Sequence, residues 1–285
     1  MTLKARKQES SSKESNSYSR QSSQNKLGKL LTSERIISLA SVLVVLILWY
    51  ISTSLKWVNP LFLPSPASVW SAFVEIVRTG YKDNSLIFHI AQSMYRLVVA
   101  LLLAIMTAIP LGMLCGFSKH LRAALDPLIE FYRPLPPLAY YTLLVLWLGI
   151  ENPSKIALLF LAAFAPLYIA AVSGVQRISR DRSNGARSLG ASGWQVFVYV
   201  VFPSSLPELF TGLRTAIGFT YTTLVAAEMV AAVSGIGWMV LDASKFLRSD
   251  VIFVGIIIMG IIAMLIDACV RWVQKSQLPW IGHDS

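Results

Sequence analysis

The sequence predicts an all-α fold, a polytopic helical membrane protein with about six spans. Three observations lead there. The 285 residues are 55% hydrophobic and only 14% charged, with a mean hydropathy of +0.59, whereas a soluble domain carries roughly 25% charge. Several apolar stretches approach the roughly 20 residues that a spanning helix needs. The net charge of +10 is gathered at the ends of those stretches. In a soluble chain such a surplus would suggest nucleic acid. At span ends it reads as topology, so no nucleic-acid partner is expected.

Taken in order, residues 1–33 are Ser-rich and basic. They carry too little apolar surface to offset chain entropy, so they read as a disordered tail. The apolar run that follows is too long for the core of a cleaved signal peptide. Residues 34–285 form the transmembrane domain. Its spans are read at 36–54, 97–117, 138–150, 156–175, 212–233 and 251–273. The third is short and follows a proline cluster.

Lys and Arg in the short loops set the orientation. They lie in the tail, at Lys119 and Arg122, at Arg177, Arg180, Arg182 and Arg187, and at Arg271 and Lys275. With six spans all four regions fall on one side. That side is expected to be cytosolic, with both termini there.

Two stretches are irregular. Pro60, Pro64 and Pro66 interrupt the chain after the first span. A helix opened by Ser65-Pro66 then places Val69, Trp70, Phe73 and Ile76 or Val77 on one face, as an interfacial helix would. The second stretch is LDPLIEFYRPLPPLAYY. Asp126, Glu130 and Arg133 are costly in lipid, and Pro134, Pro136 and Pro137 break the helix. Two readings stand here: a kink at a helix entry, or broken backbone lining a cavity.

Between the fourth and fifth spans lies NGARSLGASGWQVFVYVVFPSSLPE. A helix is expected over 186–201, with Gly190 and Gly193 admitting another backbone. Pro203 is expected to end it and Pro207 to start the next. A surface helix with a basic flank suits a groove on a partner.

That segment resembles the EAA motif of ABC importer permeases: Glu-Ala-Ala, a Gly four residues after the last Ala, then Ile-x-Leu-Pro. Asn184, Gly185 and Ala186 stand in the first three positions, Gly190 matches the glycine, and Val200, Phe202 and Pro203 fill the last part. Arg187, Ser188, Leu189 and Ala191 complete the segment. Asn184 departs from the motif's Glu and removes any salt bridge that the Glu would make. Further stretches, among them NPLFLPSP, YRPLPPLAY, LPELFTGLR and GIGWMV, resemble the permease subfamily for taurine, aliphatic sulfonates, nitrate and bicarbonate. YRPLPPLAY and LPELFTGLR are most similar to its taurine-transporting members.

The resemblance implies the transmembrane domain of a type I ABC importer in the bacterial inner membrane. It implies a homodimer, two cytosolic ATPase subunits docked on coupling helices at about 178–203, and a periplasmic binding protein. The chain lacks a G-x-x-x-x-G-K-[ST] phosphate loop. It therefore cannot hydrolyse ATP itself, and the resemblance implies a subunit that is not an enzyme, with ATP and Mg on the partner subunits.

Candidates for the substrate pathway are Arg96, Arg214, Tyr221, Thr222 and Glu228, since an ionisable residue within a span is a functional hypothesis by default. An Arg and a Glu would suit taurine's sulfonate and ammonium. The alternatives are that Arg96 snorkels to an interface, that Glu228 anchors interhelical hydrogen bonds, and that Tyr and Thr act as glue between helices. His89, His120 and His283 are scattered and read as surface or interface residues. Cys115 and Cys269 read as packing residues, and no metal site is expected.

The rival classes are weaker. An intramembrane protease needs a nucleophile and base on spans, and no such pair is visible. A secondary transporter would show inverted repeats, and none is recognised. Within the family, alkanesulfonate, nitrate and bicarbonate stand beside taurine as substrates.

Overall fold

The structure is a computed structural model and describes residues 36–277. The tail at 1–33 and His283 lie outside the described residues. Among those described, the only β-type pairing is an isolated bridge between Tyr81 and Asn84; the rest is helices and their connections. The chain divides into two units, one ending at Pro66 and one starting at Ala67.

The first unit holds helix α1, Ile36–Ser54. Its large apolar side chains from Ile36 to Leu48 are exposed, as on a helix whose solvent is lipid. Beyond it, the Trp49 indole N–H donates to Pro64 O at 2.9 Å and ties down the proline-rich turn.

The second unit begins with α2 (Pro66–Thr79), which buries Val69, Ala72 and Ile76. Trp70 and Val77 are exposed instead, so the face expected from the sequence is rotated. Trp70 lies against Phe73, with ring centroids 5.5 Å apart. Helix α3 (Leu86–Phe117) is capped by Ser85, which accepts from Phe88 N. It starts well before the expected residue 97 and is about 48 Å long. Helix α4 (Lys119–Tyr132) follows, then a turn, then α5 (Pro137–Leu148). The twelve residues of α5 reach about 18 Å, against the roughly 30 Å of a bilayer core. The third expected span is therefore too short to cross alone. Among the described residues, five helices are long and apolar enough, and α5 is a shorter apolar helix.

Helix α6 (Asn152–Gln176) is the centre of the unit and packs on α3, α5 and α9. Its buried surface is largely small, with Ala162, Ala163, Ala165, Ala170, Ala171 and Gly174. Small residues let backbones approach where apolar burial gives no drive between helices. At Gly112 of α3, an added Cβ would sit 2.6 Å from Tyr168 O and 2.7 Å from Ala171 Cβ of α6. At Gly212 of α9, it would sit 2.1 Å from Ala170 Cβ. Cys115 is buried in this core and Cys269 is exposed on α11, so packing accounts only for the first.

Helices α7 (Arg180–Ser188) and α8 (Gly193–Val196) lead through a π-turn, Phe197–Val201, into α9 (Phe202–Ala231). Pro203 does not end a helix, contrary to expectation. The π-turn lies just ahead of it, with Phe202 N donating to Phe197 O. This shift of register accommodates a ring that would otherwise meet the carbonyl four residues back. Helix continuity therefore runs from Gly193 to Ala231. Two helices close the unit, α10 (Ile236–Lys245) and α11 (Ser249–Gln277).

Candidate functional site

Two constructions stand out: an exposed helical turn at α7–α8, and a buried polar cluster joining α3, α6, α9 and the start of α10.

The break between α7 and α8 falls at 189–192, not after Val201. Ala191 N donates to Ala186 O at 3.1 Å, and Gly190 N to Arg187 O at 2.9 Å. This 6→1 and 5→2 pair is a Schellman closure. Its C′ position needs a left-handed backbone, and Gly190 supplies it at φ +87°. The new helix starts at once. Ser192 Oγ accepts from Gln195 N at 3.3 Å, and Gln195 Oε1 accepts from Ser192 N at 2.8 Å, a reciprocal capping box. Among the described residues, apart from the adjoining backbone, nothing lies within 4 Å of a Cβ at Gly190 or Gly193. Turn geometry, not close approach within this chain, accounts for Gly190.

Ala186 and Ala191 turn inward, onto a core of Met113, Ala171, Val175, Val196, Val201 and Leu209. Val200 packs there too, while Phe202 is exposed and Pro203 half-buried. Asn184, Gly185, Arg187, Ser188 and Gly190 are exposed, and Leu189 is 90% exposed at the tip. Asn184 O accepts from Ser188 Oγ at 3.0 Å, a bond within α7. At the base, Arg177 pairs with Glu208, bracing the end of α6 against α9. The result is a rigid helical corner that offers an apolar knob rimmed by polar and cationic groups.

The buried cluster is centred on Arg96 and Glu228, 2% and 1% exposed. Arg96 Nη1 donates to Glu228 Oε1 at 2.6 Å and to Ser234 O at 2.8 Å. Its Nη2 donates to Ser234 Oγ at 3.1 Å, and its Nε to Asn152 Oδ1 at 2.8 Å. Glu228 also accepts from Ser93 Oγ at 2.8 Å and from Gly237 N at 3.0 Å. Ser93 Oγ in turn accepts from Ile236 N at 3.0 Å. The first amides of α10 thus point at an acceptor and a carboxylate, as the positive end of a helix favours. A Cβ at Gly235 would lie 2.4 Å from that carboxylate.

His89 belongs to the same construction and is fully buried, which corrects its reading as a surface or interface residue. Its Nδ1 accepts from Gly235 N at 3.3 Å. The proton is therefore on Nε2, which donates to Tyr81 O at 3.2 Å. The ring stacks on Trp238 at 5.6 Å. Below it, Tyr81 Oη donates to Asp242 Oδ2 at 2.9 Å. Burial, and then that carboxylate, push the Tyr81 hydroxyl above its usual pKa. His120 is exposed.

The sequence-predicted pathway residues thus fall in two places. Arg96 and Glu228 are each other's counter-ions. Arg96 does not snorkel: it lies ten residues into α3, buried, with each of its three side-chain nitrogens engaged. Arg214 and Tyr221 line a separate groove of about 210 Å³ between α9 and α11. There Arg214 pairs with Asp267 at 3.3 Å, and Tyr221 Oη donates to Met259 O at 2.8 Å. Thr222 Oγ1 donates to its own helix at Phe219 O, 2.9 Å away. Ser93, Asn152, Ser234 and His89 were missed. The spacing of His89, Ser93 and Arg96 at i, i+4 and i+7 was the available signal, since it puts three polar groups on one face of an apolar helix.

A multi-pass helical bundle with a charge-pinned interior and an exposed, rigidly capped helical corner is the build of a transport permease. The profile described as binding-protein-dependent transport system inner membrane component matches residues 108–283. The chain belongs to this family, and is the membrane domain of a type I ABC importer rather than an enzyme. It is 42% identical over 254 residues to the taurine transport system permease protein TauC of Escherichia coli, covering 89% of this chain and 92% of that protein. The putative aliphatic sulfonates transport permease protein SsuC of Bacillus subtilis is 33% identical, at 83% and 84% coverage. The nitrate import permease protein NrtB of Synechocystis is 32% identical, at 90% and 94%.

Proposed function

We propose that this chain forms the translocation pathway of an ATP-driven taurine importer. It works as a homodimer in the lipid of a bacterial inner membrane, with both termini cytosolic. Two ATPase subunits, which carry the ATP and Mg, dock on the α7–α8 corner, and a periplasmic binding protein delivers substrate to the opposite face. The 42% identity to a taurine permease over nearly the whole chain is the observation that carries the substrate. Alkanesulfonate and nitrate are the second reading, because permeases named for those substrates match at 32–33%.

The corner suits force transmission. Asn184 to Ala191, with Val200, Phe202 and Pro203, make one hydrogen-bonded and packed unit rooted in the α3–α6–α9 core. A push at Leu189 therefore moves that core as a rigid body. Arg96 and Glu228 act here as a clamp between elements, their charges fully engaged. Arg214, Tyr221 and Thr222 keep a place near the pathway wall.

The test is ATP hydrolysis by the purified permease–ATPase complex in lipid, titrated with binding protein plus taurine, nitrate or an alkanesulfonate. Stimulation by taurine alone is expected. Stimulation by another anion instead moves the substrate and keeps the architecture. Failure of the ATPase to associate at all overturns the proposal.

A further inference from the structure

The break between α4 and α5 borders a cavity of about 170 Å³. Its wall includes Tyr132, Arg133, Tyr140, Pro166, Thr215 and Phe219. Pro166 lies near the middle of α6, and Thr215 and Phe219 near the middle of α9. Non-helical backbone within a membrane is tolerated where it lines a cavity, and the lining by Tyr132, Arg133 and Leu135 fits that reading of this proline cluster. Importantly, two polar groups at the break have no partner. Among the described residues, no carboxylate lies within ion-pair distance of the Arg133 guanidinium, whereas Arg214 has Asp267 and Arg96 has Glu228. The Tyr132 hydroxyl is buried without a hydrogen-bond partner. The unmet burial of the Tyr132 hydroxyl is a cost to the fold that a ligand would remove, and Arg133, exposed within the described residues, is a cation with reach to the same cavity.

We infer that this cavity is a substrate subsite for a small oxyanion such as a sulfonate, held by the Arg133 guanidinium and the Tyr132 hydroxyl. Guanidinium forms paired hydrogen bonds to oxyanions, and a phenol donates to the same acceptor. Tyr140 and Phe219 supply ring surface that a substrate ammonium can face. Thr215 Oγ1 donates its proton to Thr211 O at 3.0 Å, leaving its lone pairs free for that ammonium. The inference deepens the transport reading above and rests on it.

The experiment is equilibrium binding of radiolabelled taurine to the permease–ATPase complex in nanodiscs, without binding protein, competed by methanesulfonate, nitrate or choline. Uptake by the complete system in proteoliposomes runs in parallel. Arg133→Gln should weaken binding about ten- to a hundredfold, and Arg133→Lys less. Tyr132→Phe should weaken it about two- to tenfold while leaving the ligand-free melting temperature unchanged or higher, because it removes an unsatisfied buried hydroxyl. A purely structural hydroxyl would not give that opposition of signs. Methanesulfonate should compete and choline should not. Wild-type binding retained in both Arg133→Gln and Tyr132→Phe overturns the subsite and leaves the taurine importer standing. So does wild-type uptake with no binding of any anion at all. Binding of nitrate but not taurine, lost in Arg133→Gln, keeps the subsite and removes the taurine reading.

Discussion

Arg96→Met is the perturbation that best tests the clamp. The substitution keeps the side chain's bulk and removes its charge. Glu228 would then be 1% exposed with only Ser93 Oγ and Gly237 N to hold it. Asn152 Oδ1 and Ser234 O would lose the donors they now have at 2.8 Å. Breaking a buried ion pair from one side costs about 3–5 kcal/mol, because a buried charge is left without compensation. By the scaling of soluble domains of 150–250 residues, that lowers the melting temperature by roughly 6–20 °C. Thermal melting in detergent micelles measures it. Glu228→Gln alone should also destabilise, by leaving the guanidinium unpaired. The double variant should be less unstable than the sum of the singles by about 0.5–3 kcal/mol, the usual coupling for residues in contact. A melting temperature within 2 °C or so of wild type for Arg96→Met would refute the clamp, as would strict additivity in the double variant.

Other consequences follow from the same geometry. Leu189→Asp, at a tip that is 90% exposed, should leave melting unchanged and reduce co-purification of the ATPase subunit. Gly190→Ala, with open space around its Cβ but φ at +87°, should cost about 1–2 kcal/mol through the left-handed backbone and lower substrate-stimulated ATP hydrolysis. Gly112→Val should prevent stable folding, since even a Cβ there meets Tyr168 O at 2.6 Å; loss of membrane-integrated protein on expression is the readout. Arg248, paired with Glu75 and Asp250 at 3.0 Å but 41% exposed, should matter little. Arg248→Gln is expected to cost under about 1 kcal/mol, and less at high salt.

The sequence by itself determined the solvent and the helix class. Long apolar runs dictate spans, because backbone groups in lipid must bond within their own helix. The turn at Gly190 and Ser192 was not legible there: the pattern reads as one helix over 186–201 ended by Pro203, whereas the structure breaks it at 189–192 and carries the helix through Pro203. Only the tertiary structure decided which charges meet. Arg96 and Glu228 are 132 residues apart, and the sequence alone leaves Arg96 between a pathway residue and a snorkelling one and Glu228 between a pathway residue and an anchor. Their pairing depends on α3 and α9 being brought together around α6, through contacts of small residues such as Gly112 and Gly212. The same docking left Arg133 and the Tyr132 hydroxyl without partners beside a cavity. The absence of a partner is a property of packing, because it depends on every other group that could have reached the site and did not.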